Sequence, residues 1–204
     1  MKTYEKDDLL IIGAIKGLVS EGKEIEKILR KRMPDTAGLS ISPSEMAGLR
    51  EYIAADEPVV ELFGHEIAYL ELLMEFGKVR APSPSYMVPV KVTKELGIPL
   101  IPLDMDDDEF ADTYIRNVSG MDFVSHMMIE KKVSKKSFKV RDVEDFIMQW
   151  DAAINKNKGL MAVEREREEY MGKKLANLSK KGEMVAIVDF ERMDGIIRSM
   201  VKYL

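Results

Sequence analysis

The sequence predicts an α/β fold: a central, mostly parallel sheet with flanking helices and a helical insertion before the last strand. Three observations carry this. Short apolar runs alternate with helical patterns between residues 9 and 103. The pattern from 107 to 181 is helical nearly throughout. A last apolar run, Met184-Val185-Ala186-Ile187-Val188, then precedes a final helix. Right-handed crossovers make the early strands parallel. The late strand is expected to pair inside that sheet and so bring the two ends of the chain together.

Leu9-Leu10-Ile11-Ile12 is a short apolar run closed by Gly13, which suits a buried strand. Ser20 precedes a helix with apolar Ile25, Ile28, Leu29 and Met33, stopped by Pro34. Ala37 to Ile41 reads as a second strand. Ser42-Pro43-Ser44-Glu45 is the sharpest local signal in the chain. Ser42 caps, Pro43 suits the first helical position and Glu45 completes a capping box. Met46, Leu49 and Ile53 then share a helical face.

Pro58-Val59-Val60-Glu61-Leu62-Phe63 reads as a third strand closed by Gly64, followed by a helix with Tyr69, Leu70, Leu73 and Met74. Ala81-Pro82-Ser83-Pro84 is a turn-rich connection. The next helix runs to Leu96, with Pro89 limiting where it can start. Ile98 to Leu103 is a fourth strand, and its two prolines suit an edge or an irregular strand better than a central one. In the helical stretch, Phe110, Tyr114, Ile115 and Val118 form one apolar stripe. Val143, Phe146, Ile147, Trp150 and Ile154 form a second, and Met171, Leu175 and Leu178 a third. The final helix carries Ile196, Ile197, Met200, Val201 and Leu204.

With 204 residues the chain suits one domain spanning 1–204, with 107–181 mainly helical. A composition 46% hydrophobic and 33% charged is that of a soluble globular protein. The net charge of -5 argues against nonspecific nucleic-acid binding, which needs a basic face. The one basic cluster, Lys131-Lys132 with Lys135-Lys136 and Lys139, reads as a solvated helix end and loop. No cysteine is present, so disulfides, thiolate nucleophiles and zinc–thiolate sites are excluded. The first residues are polar and acidic, unlike a signal peptide, and no apolar run approaches the roughly 20 residues of a membrane span. The expected location is cytoplasmic, with no membrane partner.

Gly13-Ala14-Ile15-Lys16 ends the first strand. Glu166-Arg167-Glu168-Glu169-Tyr170-Met171 lies late in the helical stretch. Val185 to Val188 is followed by Asp189 to Arg192 and then Gly195-Ile196. In order and approximate spacing these three segments resemble the TraB/PrgY family, which includes the Tiki-type metalloproteases. That family ends its first strand in Gly-x-x-His and carries Glu-Arg-Asp on a late helix. Its second Gly-x-Gly-His turn follows the last strand. Here Lys16 and Arg192 stand where the two histidines would be, and Glu168 stands for the aspartate. Asp189 and Glu191 stand for the glycines of the second turn. The residue after the second strand, acidic in the family, has no match in Gly38-Leu39-Ser40-Ile41. Protonated lysine and arginine have no lone pair for a metal. The resemblance therefore implies the fold and the place of the cleft, with the metal site degenerate and no cofactor held by the family's scheme.

Two functional expectations follow, of different classes. In the first, Lys16 and Arg192 end strands on one edge of the sheet, where open α/β sheets bind ligands. The resemblance brings Arg167 to the same cleft. Together they would bind a small anion, and a homodimer is compatible with this expectation. The competing reading is an internal salt-bridge network with Glu61, Asp104 or Glu191. In the second, a hydrolase uses a relocated site: Glu61, His65 and Glu66 as acid–base residues, with Glu61, His65 and Asp104 holding a divalent metal. His65 and Glu66 start a helix beside the predicted third strand, while His126 lies mid-helix. Asp104-Met105-Asp106 resembles the Asp-x-Asp of haloacid-dehalogenase phosphatases at those two residues alone. It equally suits a helix N-terminus, which favours acidic side chains. Glu164 to Glu169, with Arg165 and Arg167 interleaved, reads largely as a solvated face. Among the fifteen methionines, Met127-Met128 and Met193 with Met200 read as filling core gaps or a helix interface.

Overall fold

The structure, a computed structural model, describes residues 1–56 and 60–204. Five strands form one sheet in the order β1-β2-β5-β3-β4. They are β1 (Lys2–Lys6), β2 (Leu9–Ala14), β3 (Thr36–Leu39), β4 (Leu100–Pro102) and β5 (Met184–Asp189). Every pairing is parallel except that of β1 with β2. The sheet is therefore mostly parallel, as the alternating pattern predicts. The late strand β5 lies between β2 and β3, which brings the start and end of the chain together.

β1 is not among the predicted strands. Asp7 and Asp8 join it to β2 as a tight hairpin, with Lys6 opposite Leu9. Asp7 takes a positive φ of 51°, which a short polar side chain tolerates better than most. The third predicted strand is corrected. Its Pro58 and Val59 lie outside the described residues, and residues 60–63 form no strand. β4 occupies the far edge, where a residue without an N–H such as Pro102 is tolerated.

The helices are α1 (Val19–Arg32), α2 (Pro43–Ala54), α3 (Gly64–Leu73), α4 (Pro84–Leu96), α5 (Asp107–Asn117), α6 (Gly120–Val133), α7 (Val143–Ile154), α8 (Lys158–Leu178) and α9 (Met193–Met200). The capping box at Ser42 forms as predicted: Ser42 Oγ accepts the Glu45 N–H at 3.1 Å and Glu45 accepts the Ser42 N–H at 2.8 Å. Ser20 does not cap α1. The helix starts at Val19, whose N–H is met by the Lys78 carbonyl at 2.9 Å, so a distant segment replaces the local cap. Pro89 lies inside α4, which starts earlier, at Pro84 in the favoured first position. Among the described residues no helix is long and apolar enough to cross a membrane.

Strand alternation sends side chains to two cores. Leu10, Ile12, Val185 and Ile187 pack with α1 and α4 on one face. Leu9, Ile11, Met184, Ala186 and Val188 pack with α8 and α9 on the other. A third cluster gathers Ile15 and Phe190, which directly follow β2 and β5, with Leu73 of α3, Val133 of α6, and Phe146, Ile147 and Trp150 of α7. This cluster covers the carboxyl ends of the central strands. It explains why the stripe on α7 is buried. The stripe on α5 is not: Phe110 is 39% exposed and Ile115 77%.

Candidate functional site

A cleft of about 580 Å³ opens at the carboxyl ends of β2, β3 and β5. Its lining includes Lys16, Arg167 and Arg192, together with Ser40, His65, Glu66, Tyr69, Tyr86, Trp150, Asp151, Glu164, Asp189 and Glu191. The three cations predicted from sequence thus face one space, although they come from the ends of two strands and from α8.

Backbone turns set the positions. After β2, Ile15 dives into the third core cluster and Lys16 faces the cleft. Gly17 then takes a φ of +94°, a conformation that L side chains rarely adopt, and the chain doubles back. The Gly17 N–H donates to Ser83 Oγ at 2.9 Å, and the Tyr69 hydroxyl donates to the Lys16 carbonyl at 3.0 Å. After β5, the Asp189 N–H donates to Ser40 Oγ at 3.2 Å. The chain then tightens into a single 3₁₀ turn, Phe190–Arg192. That turn buries Phe190 while Glu191 and Arg192 line the cleft.

Two ionic nodes result. In the first, Lys16 Nζ lies 3.2 Å from Asp189 Oδ2 and 3.1 Å from Glu191 Oε1. The Tyr86 hydroxyl donates to the other Asp189 oxygen. Burial pulls the Lys16 ammonium down, but Asp189 and Glu191 outweigh it and hold the group well above its ordinary value. Burial pushes the Glu191 carboxyl up. Lys16 opposes this, Asp189 adds to it, and the net direction is upward. Burial likewise raises the Tyr86 hydroxyl, reinforced by Asp189, and the Tyr69 hydroxyl, reinforced by Glu191.

The second node is a chain of alternating charges. Arg167 holds Asp104 with two nitrogens, one at 2.9 Å, and Glu164 Oε1 at 2.8 Å. The second Glu164 oxygen lies 3.2 Å from Arg192 Nε. Arg192 also meets Asp151 and, at 3.4 Å, Glu168. Glu164 therefore bridges the two arginines. Burial lowers both guanidinium groups, and their carboxylates more than restore them, so both end above the ordinary arginine range. Burial raises the Glu168 carboxyl despite Arg192.

The predicted hydrolase residues are distributed differently. Glu61 is exposed and outside the cleft lining. His65 and Glu66 line the cleft. His65 Nδ1 faces Glu130 at 3.6 Å, and the Glu66 carboxylate accepts the Phe63 N–H at 2.8 Å. His126 Nε2 lies 3.3 Å from the same Glu130 oxygen. Asp104 is spent on Arg167 and on the Met105 N–H at 2.8 Å. Asp106 caps α5 by accepting the Glu109 N–H at 2.9 Å, the helix-terminus role open to this acidic run. Among the described residues no group of three or more His, Cys, Asp or Glu could hold a metal ion, so Glu61, His65 and Asp104 form no such set.

Of the salt-bridge partners the sequence suggests, Asp104 and Glu191 hold cleft cations, whereas Glu61 lies outside the cleft lining. Sequence reasoning missed Asp151, Glu164 and Asp189 as cleft carboxylates, and Tyr69 and Tyr86 as cleft hydroxyls. No local spacing marks them, because the nodes join residues as far apart as Lys16 and Asp189. No family model matches the chain, and no curated protein matches it.

Proposed function

We propose that this chain is a TraB/PrgY-like protein without the family's histidine metal site, whose strand-end cleft binds a small anionic molecule. The observation that carries the reading is the convergence of Lys16, Arg167 and Arg192 on one cleft of about 580 Å³. That size is ordinary for a small-molecule pocket, and strand carboxyl ends are where open α/β sheets take ligands. Each cation already holds carboxylates, so an anion enters by exchange, taking over a place that a carboxylate now fills. Lys16 is the most open of the three, at 37% side-chain exposure, against 24% for Arg167 and 13% for Arg192. It is the first contact for a ligand, with the arginine node behind it. The alternative of a metal-dependent hydrolase built on Glu61, His65, Glu66 and Asp104 finds no donor cluster among the described residues to support it.

The test is native mass spectrometry of freshly purified protein, followed by thermal melts with phosphate, sulfate and small carboxylates. A retained anion, or stabilisation of about 2.7 kcal/mol at a hundredfold excess over Kd, is expected. Either should be lost in Lys16→Ala or Arg192→Ala. A stoichiometric divalent metal would overturn the reading in favour of the hydrolase. Trp150, the single tryptophan, lines the cleft and supplies an independent fluorescence readout.

A further inference from the structure

The most unusual group in the cleft is Glu191. Its side chain is only 10% exposed. One oxygen rests on Lys16 at 3.1 Å, while Oε2 is buried with no hydrogen-bond partner among the described residues. Its neighbour Asp189 is better served: one oxygen takes Lys16 and the other takes the Tyr86 hydroxyl. An ionised carboxylate strongly disfavours a buried oxygen without a donor, and two carboxylates flanking one ammonium resist double ionisation. The negative charge therefore belongs on Asp189, and Glu191 is the member of the pair that holds a proton most readily.

We propose that Glu191 serves the cleft as a neutral carboxylic acid and that, beside Lys16, it donates a hydrogen bond to a bound oxyanion, so that wherever Glu191 is ionised in the free protein, binding takes up a proton. The inference rests on the anion-cleft reading and adds to it a ligand residue and a ligand class. An ammonium has three donors, and Asp189 and Glu191 account for two. The third, with the Glu191 hydroxyl, makes a two-donor seat for one oxyanion, of carboxylate or sulfate type. The incoming negative charge itself holds the proton on Glu191. Among the described residues the charged and titratable groups that interact with Glu191 include Lys16, Asp189, Arg192, Tyr69 and Tyr86, and Arg80, Asp151, Glu164 and Arg167 line the same cleft. Burial raises Glu191 further, Lys16 opposes this and Asp189 supports it. Both tyrosines are held above their ordinary range and stay neutral, while Lys16 and Arg192 stay charged. His65 lines the same cleft and its imidazole can also take up a proton, so the experiment must separate it from Glu191.

The experiment is calorimetric titration of the full chain with sodium sulfate and, separately, sodium acetate. It is run at stepped pH in two buffers of different ionisation heat. The wild type is expected to bind more weakly as pH rises above the Glu191 pKa, by up to about tenfold per pH unit, with net proton uptake. Glu191→Gln keeps a donor and the shape but cannot ionise. It should hold the affinity that the wild type reaches at low pH, with no slope. The relative response to sulfate and acetate identifies which oxyanion the seat prefers. The same slope in Glu191→Gln, as proton uptake by another cleft group would give, overturns the proposal, and so does a wild-type affinity that stays flat, without proton uptake, across the whole pH range. Binding of neither anion by either protein sinks the anion-cleft reading itself. Should Glu191→Gln fail to fold, the carboxyl carbon of Glu191 in labelled wild type provides the second measurement. Its titration should move to higher pH on adding sulfate, and an unmoved titration overturns the proposal.

Discussion

Asp104 and Arg167 set the energetic stakes at the scale of single residues. The Asp104 side chain is 4% exposed and depends on Arg167 for its charge balance. A buried pair adds little net stability over an apolar substitute, but removing one partner strands the other charge. Arg167→Ala is therefore expected to destabilise the protein by about 3–5 kcal/mol in a denaturant melt. The double change Arg167→Met with Asp104→Leu should cost clearly less, because no unpaired charge remains. A single change as mild as the double one would mean that water reaches Asp104 freely. The three cations could be named from the family resemblance. Their partners could not, because Glu164 bridges Arg167 and Arg192 only once α8 lies against the turn after β5.

Among the elements, local signals succeeded where the partner is local. The capping box of α2 lies within four residues, and it forms. The apolar stripe of α7 is buried because other elements cover it, whereas the similar stripe of α5 leaves Ile115 exposed. Periodicity marks a face without saying whether anything packs on it. The contact of α8 with α9 shows the opposite case, a requirement that periodicity does not mark. A Cβ added at Gly172 would stand 2.7 Å from the Ile196 carbonyl oxygen and the Met200 nitrogen, both backbone atoms that cannot swing aside. Gly172→Ala is expected to destabilise by about 1–3 kcal/mol despite the better helix propensity of alanine. At exposed Gly48 in α2 an added Cβ meets nothing within 4 Å. Gly48→Ala should stabilise by about 0.5–1 kcal/mol. Chemical denaturation of both variants checks the pair. Equal effects would mean that α9 shifts away from α8 without penalty.

Across the whole molecule, β5 ties the architecture together, pairing with β2 on one side and β3 on the other. A chain ending at Lys181 lacks β5 and α9, so β2 and β3 lose the partner they share. It is expected to show no cooperative thermal transition by circular dichroism, whereas the full chain should melt as a unit. A cooperative melt of the shortened chain would show that the remaining strands close up without β5. Patterns of period two and 3.6 and their capping residues were enough, from sequence alone, to determine the α/β class, most of the helices and the return of a late strand into an early sheet. The family resemblance, not periodicity, singled out Lys16, Arg167 and Arg192. Tertiary structure alone decided that the N-terminal segment adds an antiparallel edge and that residues 60–63 form no strand. It alone paired Lys16 with Asp189 and Glu191, and Arg192 with Asp151, Glu164 and Glu168. The physical reason is range. Hydrogen bonding and burial within one element act over a few residues, while a buried charge is satisfied by whatever the fold brings beside it.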